Sequence, residues 1–292
     1  MLRRGRCSSG MSLAVVLLAA ALQLSHAVFD DPAPAPDGKR IAFTVSIAGH
    51  SQLFVGALDL SGTTQLTRDP WDHDSPAWSP DGALLAYVSS RSGHPAIHVV
   101  KPDGTADAAL TSDTADSIHP TWSPDGKSVL YCSDDDLRPP AKNPSEIYSV
   151  EIGTRRARKL ISGGTNTYPS WAPDGKKILF RRMVGEKDSE VFVADPDGSH
   201  AVNLTRNPAF DGWPAWSPDG KRIAFASNRA DMAVWQIYVM DADGSHMTRV
   251  EETDGRATVP RWSADGAQIY FTICKKVDGG ADCHIHRAAP PH

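Results

Sequence analysis

Signatures of covalent and metal catalysis are absent from this chain of 292 residues. There is no Gly-x-Ser-x-Gly elbow, because Gly49-His50-Ser51-Gln52-Leu53 breaks at its last position. That excludes the strand-turn-helix nucleophile of the α/β-hydrolases. No His-Glu-x-x-His, phosphate-binding Gly-x-x-x-x-Gly-Lys-Ser/Thr or Cys-x-x-Cys occurs either, which removes the usual zinc, nucleotide and dithiol chemistries. Basic residues are in deficit, 30 against 35 acids, so the stripe that neutralises nucleic-acid phosphates has no source. Helix-period apolar patterns are lacking, and so is any basic amphipathic stretch that would lie on a membrane surface. Leu13–Leu24 is apolar but shorter than the roughly 20 residues a spanning helix needs.

That short run is read as an export signal. Arg3, Arg4 and Arg6 precede it, and Ser25-His26-Ala27 sets small residues at −3 and −1 of a cleavage point. Residues 1–27 are then a signal peptide and 28–292 the folded chain, with a periplasmic or secreted location and no membrane span after cleavage. Removing three arginines and no acid takes the formal net charge from −5 to −8. Cys274 and Cys283 flank an Asp-Gly-Gly turn, where an oxidising compartment allows a disulfide across the hairpin. Cys132 follows Val129-Leu130-Tyr131 and reads as a buried thiol.

What the sequence does have is repetition. Pro-Asp-Gly returns at Pro36, Pro80, Pro124, Pro173 and Pro218, and as Ala264-Asp265-Gly266; the aspartates lie 44, 44, 49, 45 and 46 residues apart. A period of that length marks a repeat architecture. Within one unit, Pro214–Trp216 is extended and Ser217–Gly220 is a turn. Arg222–Ala226 and Gln236–Met240 are β-formers, Asp241–Gly244 is a second turn, and Met247–Val250 is a weaker fourth strand. Four short antiparallel strands per unit make a blade, and six units make an all-β, six-bladed β-propeller. Trp78, Trp122, Trp171, Trp216 and Trp262 recur two residues before the Pro or Ala of the turn and are expected to pack between blades; Pro34 takes that place in the first repeat. The chain ends after three strands of the last unit, so blade six is three-stranded or the ring closes in another way.

The phrase Pro-x-Trp-Ser-Pro-Asp-Gly-Lys-x-Ile-Ala-Phe at Pro214–Phe225, followed by Ile237–Asp241, resembles the repeats of TolB-like propellers. The closing Leu-Thr of that family stands at Leu66-Thr67, Leu110-Thr111 and Leu204-Thr205, and the resemblance spans Val28–His286. It implies a propeller in the bacterial envelope whose partner is a protein, as TolB binds the peptidoglycan-associated lipoprotein. TolB proper carries an α/β domain ahead of its propeller, whereas here the leader runs directly into the first repeat. Similar repeats form the non-catalytic propeller of prolyl-oligopeptidase-type peptidases and the metal-dependent oligogalacturonate lyases.

Function is expected in the connections that lead from one blade to the next, at one mouth of the channel. Trp71, Tyr168 and Trp213 are its candidate aromatic anchors, with His73, Asp74, His119, Asn166 and Asp211 as polar partners. A rival enzymatic reading would make His73 and His119 metal ligands, completed by Asp74 or Asp116. The preferred reading has no cofactor, no resident metal and no catalytic residue: a binding or scaffold module for an envelope protein. The partner's identity and the oligomeric state are not legible.

Overall fold

The computed structural model describes residues 28–112, 114–134, 146–186, 188–278 and 280–291. The proposed signal peptide lies outside them. Among the described residues there are 23 strands and no helix, arranged as six antiparallel sheets. Five sheets have four strands and the last has three, Arg256–Trp262, Ile269–Val277 and Gly280–Ala288. Blade five shows the plan: Asp211–Trp216 is innermost, then Arg222–Ser227, Gln236–Asp241 and a two-residue outer strand, Thr248–Arg249.

Each recurrent motif has a bond to explain it. In the Ser-Pro-Asp-Gly turn of blade two, Ser79 Oγ donates to Asp81 Oδ1 at 2.6 Å and accepts from the Leu84 amide at 2.9 Å. Gly82 meanwhile takes φ of 67°, a conformation that costs a side chain energy. The Ser hydroxyl and the Ala83 amide hold the Asp81 carboxyl below its usual range. The closing Leu-Thr is a clamp. Leu66 N–H donates to Leu53 O at 2.8 Å, while Thr67 Oγ1 accepts the Leu53 amide at 2.9 Å. Thr111 and Thr205 do the same for Ile97 and Val191, so a strand of two residues is anchored by a side chain.

The tryptophan column joins neighbouring blades. Indole N–H groups of Trp78, Trp122 and Trp262 donate to the carbonyls of Ala33, Ala77 and Ala215 at 2.8, 3.0 and 3.2 Å. Each acceptor lies on the inner strand of the preceding blade. Trp171 and Trp216 sit in the same column, half-buried, with their indole nitrogens unpaired.

Ring closure uses the same kind of bridge as the junction between blades four and five. Val28 makes a parallel bridge to Cys283 of blade six, as Phe210, just before blade five, does to Ser189 of blade four. Thr272 Oγ1 donates to Asp30 Oδ1 at 2.6 Å, and Phe29 and Tyr270 share one apolar cluster across the seam. Cys274 and Cys283 face each other on adjacent strands, Cα atoms 4.1 Å apart, and are joined as a disulfide.

Candidate functional site

The inner strands differ from their expected form in a way that builds the site. They begin earlier than the alternation suggests, at His73, Asn166 and Asp211 for example, and each carries a bulge one residue before its proline. In blade two, Asp74 pairs with Val88 and Ala77 with Ala86, so Ser75 and Pro76 together oppose Tyr87 alone. Proline has no N–H to give the ladder, and the bulge absorbs the gap. The residue before it adopts positive φ in all six blades: Asp31 50°, Ser75 53°, His119 56°, Tyr168 53°, Trp213 52° and Val259 54°. None of the six is glycine, so each carries local strain on the order of 1 kcal/mol that the ring must hold.

Five of these six, all but Trp213, line a channel cavity of about 320 Å³, together with Arg261. The lining continues past the tryptophan column to Pro36, Pro80, Pro173 and Pro218 of the turns. On one side lie carboxylates. Burial, then the neighbouring charges of Asp30 and Asp74, pushes the Asp31 carboxyl upward; the Ser75 amide, donating to Asp31 Oδ2 at 2.9 Å, only partly offsets this. Asp74 is likewise raised, by burial and by Asp72 and Asp30. On the other side the imidazole of His119 lies 3.7 Å from the ring of Tyr168, centroid to centroid, with Cys132 Sγ 3.6 Å from its Nδ1. Burial, then the charges of Arg181 and Arg261, brings His119 down to about 3. Burial also pushes the Cys132 thiol up to about 12, so it is an inert packing group.

A folded-state His pKa below the ordinary value of about 6.5 means that the unfolded chain binds the proton first. The stability tied to neutral His119 is therefore complete above pH 6.5 and drains as pH falls toward 3. Between pH 7 and pH 5 the native protein should lose about 2 kcal/mol more than the His119→Gln variant. Urea titrations of both proteins at the two pH values measure this. Parallel losses would show that His119 is not held neutral.

From the channel wall a continuous stack runs outward across blades three to six. Tyr168 and His119 begin it. The Arg181 guanidinium stands 5.0 Å from the Tyr168 ring and 5.1 Å from that of Phe210; Phe210 stacks on Trp235 at 4.8 Å, and Arg256 lies over Trp235 at 3.5 Å. Trp213 backs the stack, 5.3 Å from Tyr168 and 5.1 Å from Trp235. Cation–π contacts of this kind contribute about 0.5–2 kcal/mol each, more where water is excluded.

The candidate residues therefore separate. His119 and Tyr168 line the channel, and Trp213, though buried, belongs to the same stack. Trp71 is exposed at the rim, and Asp74 is half-buried beside Asp30 and Asp31. His73, Asn166 and Asp211 are sealed inside blades. His73 Nε2 is 2.6 Å from Asp69, Asn166 Oδ1 accepts from Arg182 Nε at 2.7 Å, and Asp211 pairs with Arg229 at 2.9 Å. These three stand at the first position of an inner strand, where the side chain enters the sheet, and alternation alone does not reveal that. Phe210, Trp235, Arg181 and Arg256 were missed because they lie on second strands, loops and strand starts far apart in sequence. His73 and His119 do not meet: one is enclosed by Asp69 and Tyr87, the other faces the channel.

A protein-family model described as the TolB beta propeller domain matches residues 21–204 and, overlapping, 103–286. Among solved structures the chain is similar to a putative TolB from Agrobacterium tumefaciens, 25% identical over 91% of both chains, with a TM-score of 0.68. TolB from Acinetobacter baumannii is 20% identical over 95% of this chain and 67% of that one, at a TM-score of 0.68. An oligogalacturonate lyase in complex with manganese is 16% identical over 91% and 90%, at 0.57. The last two likenesses show the fold alone. No curated protein matches the chain in a sequence comparison.

Proposed function

Because the chain belongs to the TolB β-propeller domain family, we propose that it is an exported propeller acting as a protein-binding or scaffold module at one end of its channel. The observation that supports this reading is the stack from His119 and Tyr168 through Phe210 to Trp235 and Arg256. It combines tyrosine, tryptophan and arginine, the side chains enriched at interface hot spots. A periplasmic or secreted location and a partner in the cell envelope complete the proposal.

The neighbouring lyase holds manganese, so the residues here are tested against such an ion. They do not fit. Burial, then the charges of Arg181 and Arg261, disfavours a proton on the His119 ring, and the two arginines would also repel a divalent cation there. No three His, Cys, Asp or Glu side chains are grouped to hold one among the described residues. The lyase-like reading is therefore placed second, and a stand-alone relative of a peptidase propeller third.

The test is capture of envelope proteins by the exported chain, whose first residue should be Val28, with its variants alongside. Tyr168→Ala and Trp235→Ala should each weaken capture by about 2 kcal/mol or more, and Trp71→Ala should change it little. Metal analysis of the same preparation decides against the rival. One tightly held Mn²⁺ or Zn²⁺ per chain, lost in His119→Ala, would replace the scaffold reading with the enzymatic one.

A further inference from the structure

The outer end of the stack is a second, separate pocket. Phe210, Asn228, Met232, Ala233, Trp235 and Arg256 enclose about 370 Å³ that opens at the rim. Met232 is 63% exposed, large for an apolar side chain on a propeller edge. Arg256 starts the inner strand of blade six, exposed, with its guanidinium laid on Trp235 and no carboxylate paired with it among the described residues. One turn of the stack further in, Arg181 also has no ion pair among the described residues, and its Nε is buried without a partner. In a chain of net negative charge, two arginines without an ion pair among the described residues stand beside the same aromatic wall, with the Asp30 charge acting on Arg256 only at longer range.

We propose that this pocket binds an acidic, apolar peptide segment of a partner protein, with a carboxylate on Arg256 and an aliphatic or aromatic side chain against Trp235, Phe210 and Met232. The inference rests on the binding reading above and adds the chemistry of the partner. A guanidinium whose carbon lies 3.5 Å over an indole ring can turn its N–H groups outward, in the fork that a carboxylate matches with two bonds. The lining also argues against a sugar acid as the ligand. A sugar acid presents several hydroxyls as well as its carboxylate, and beyond Arg256 the one other polar side chain in the lining is Asn228. Its amide is engaged at both ends, Oδ1 accepting from the Phe210 amide at 2.8 Å and Nδ2 donating to Met232 O at 3.0 Å.

The probes are a blocked synthetic peptide of alternating glutamate and leucine, the same peptide with glutamine for glutamate, and a galacturonate oligomer. Each is titrated into the full chain and read by tryptophan fluorescence and calorimetry. The glutamate peptide should saturate, and the glutamine peptide should bind about tenfold more weakly or worse, the loss expected for a charged hydrogen bond. Arg256→Gln should weaken the glutamate peptide by a similar factor with unchanged melting temperature, and Arg256→Lys should fall between, losing the fork but keeping the charge. Raising salt should weaken binding further, since the site is exposed. Equal binding of the two peptides overturns the proposal. So does the absence of saturation at millimolar concentration, indifference to Arg256→Gln, or tighter binding of the galacturonate oligomer. Envelope capture that persists unchanged in Arg256→Gln would sink this inference and leave the scaffold reading standing, whereas loss of all capture by the native chain would sink the scaffold reading itself.

Discussion

Trp122→Ala should lower stability by about 3–5 kcal/mol, the usual loss for a truncated buried aromatic, while Trp71→Ala stays within about 0.5. Trp122 is 7% exposed and wedged against Val129, Tyr131 and Leu110, whereas Trp71 is 44% exposed at the rim. Truncation would also leave the Ala77 carbonyl without the indole N–H that ties blade three to blade two at 3.0 Å. Trp171 should fall between the two, because it is half-buried and its indole nitrogen has no partner to lose. Denaturant midpoints of the three variants give the order. If Trp122→Ala and Trp71→Ala unfold at the same midpoint, the tryptophan column does not hold the blades together.

Asp211→Ala is the second large effect, on the order of 3 kcal/mol or more, because it strands a cation whose partner was buried. The carboxylate is fully enclosed and accepts two bonds from Arg229 Nη2, at 3.0 and 2.9 Å, and Arg229 in turn lies over Phe225 and Tyr238 at 5.1 and 5.2 Å. Burial raises the Asp211 carboxyl even against the pull of Arg229, so the net contribution of the pair is modest although breaking it is costly. Asp211→Asn, which keeps an acceptor, should be milder. Thermal unfolding of the two variants beside the native chain tests this. An Asp211→Ala protein that melts normally but fails to capture a partner would return Asp211 to the binding face.

These two residues show where a linear reading stops. Trp122 was legible because packing between blades repeats with the chain: a bulky side chain recurs two residues before the Pro or Ala of the same turn, five times over. Asp211 was not, because a polar residue next to a variable connection looks the same whether it faces water or an arginine. Its partner Arg229 lies 18 residues away on the far side of a strand. His73 was misplaced for the same reason, its nitrogen turned into the blade toward Asp69 rather than into the channel.

The six blades and their four-stranded plan were determined by sequence alone. The physics there is local: proline, aspartate and glycine dictate turns, β-branched and aromatic runs dictate strands, and the period counts blades. The three-stranded last sheet, the way the ring closes and the Cys274–Cys283 disulfide were left open by the sequence and decided by the structure. Tertiary structure alone decided the bulge before each inner-strand proline, the inward ring from Asp31 to Val259, and the stack that joins Arg181, Phe210, Trp235 and Arg256. The bulge and the positive φ recur in every blade, but the stack depends on side chains from three blades meeting in one place. No repeat encodes that meeting, because it is set by how the ring closes and by which blade carries an arginine where its neighbours do not.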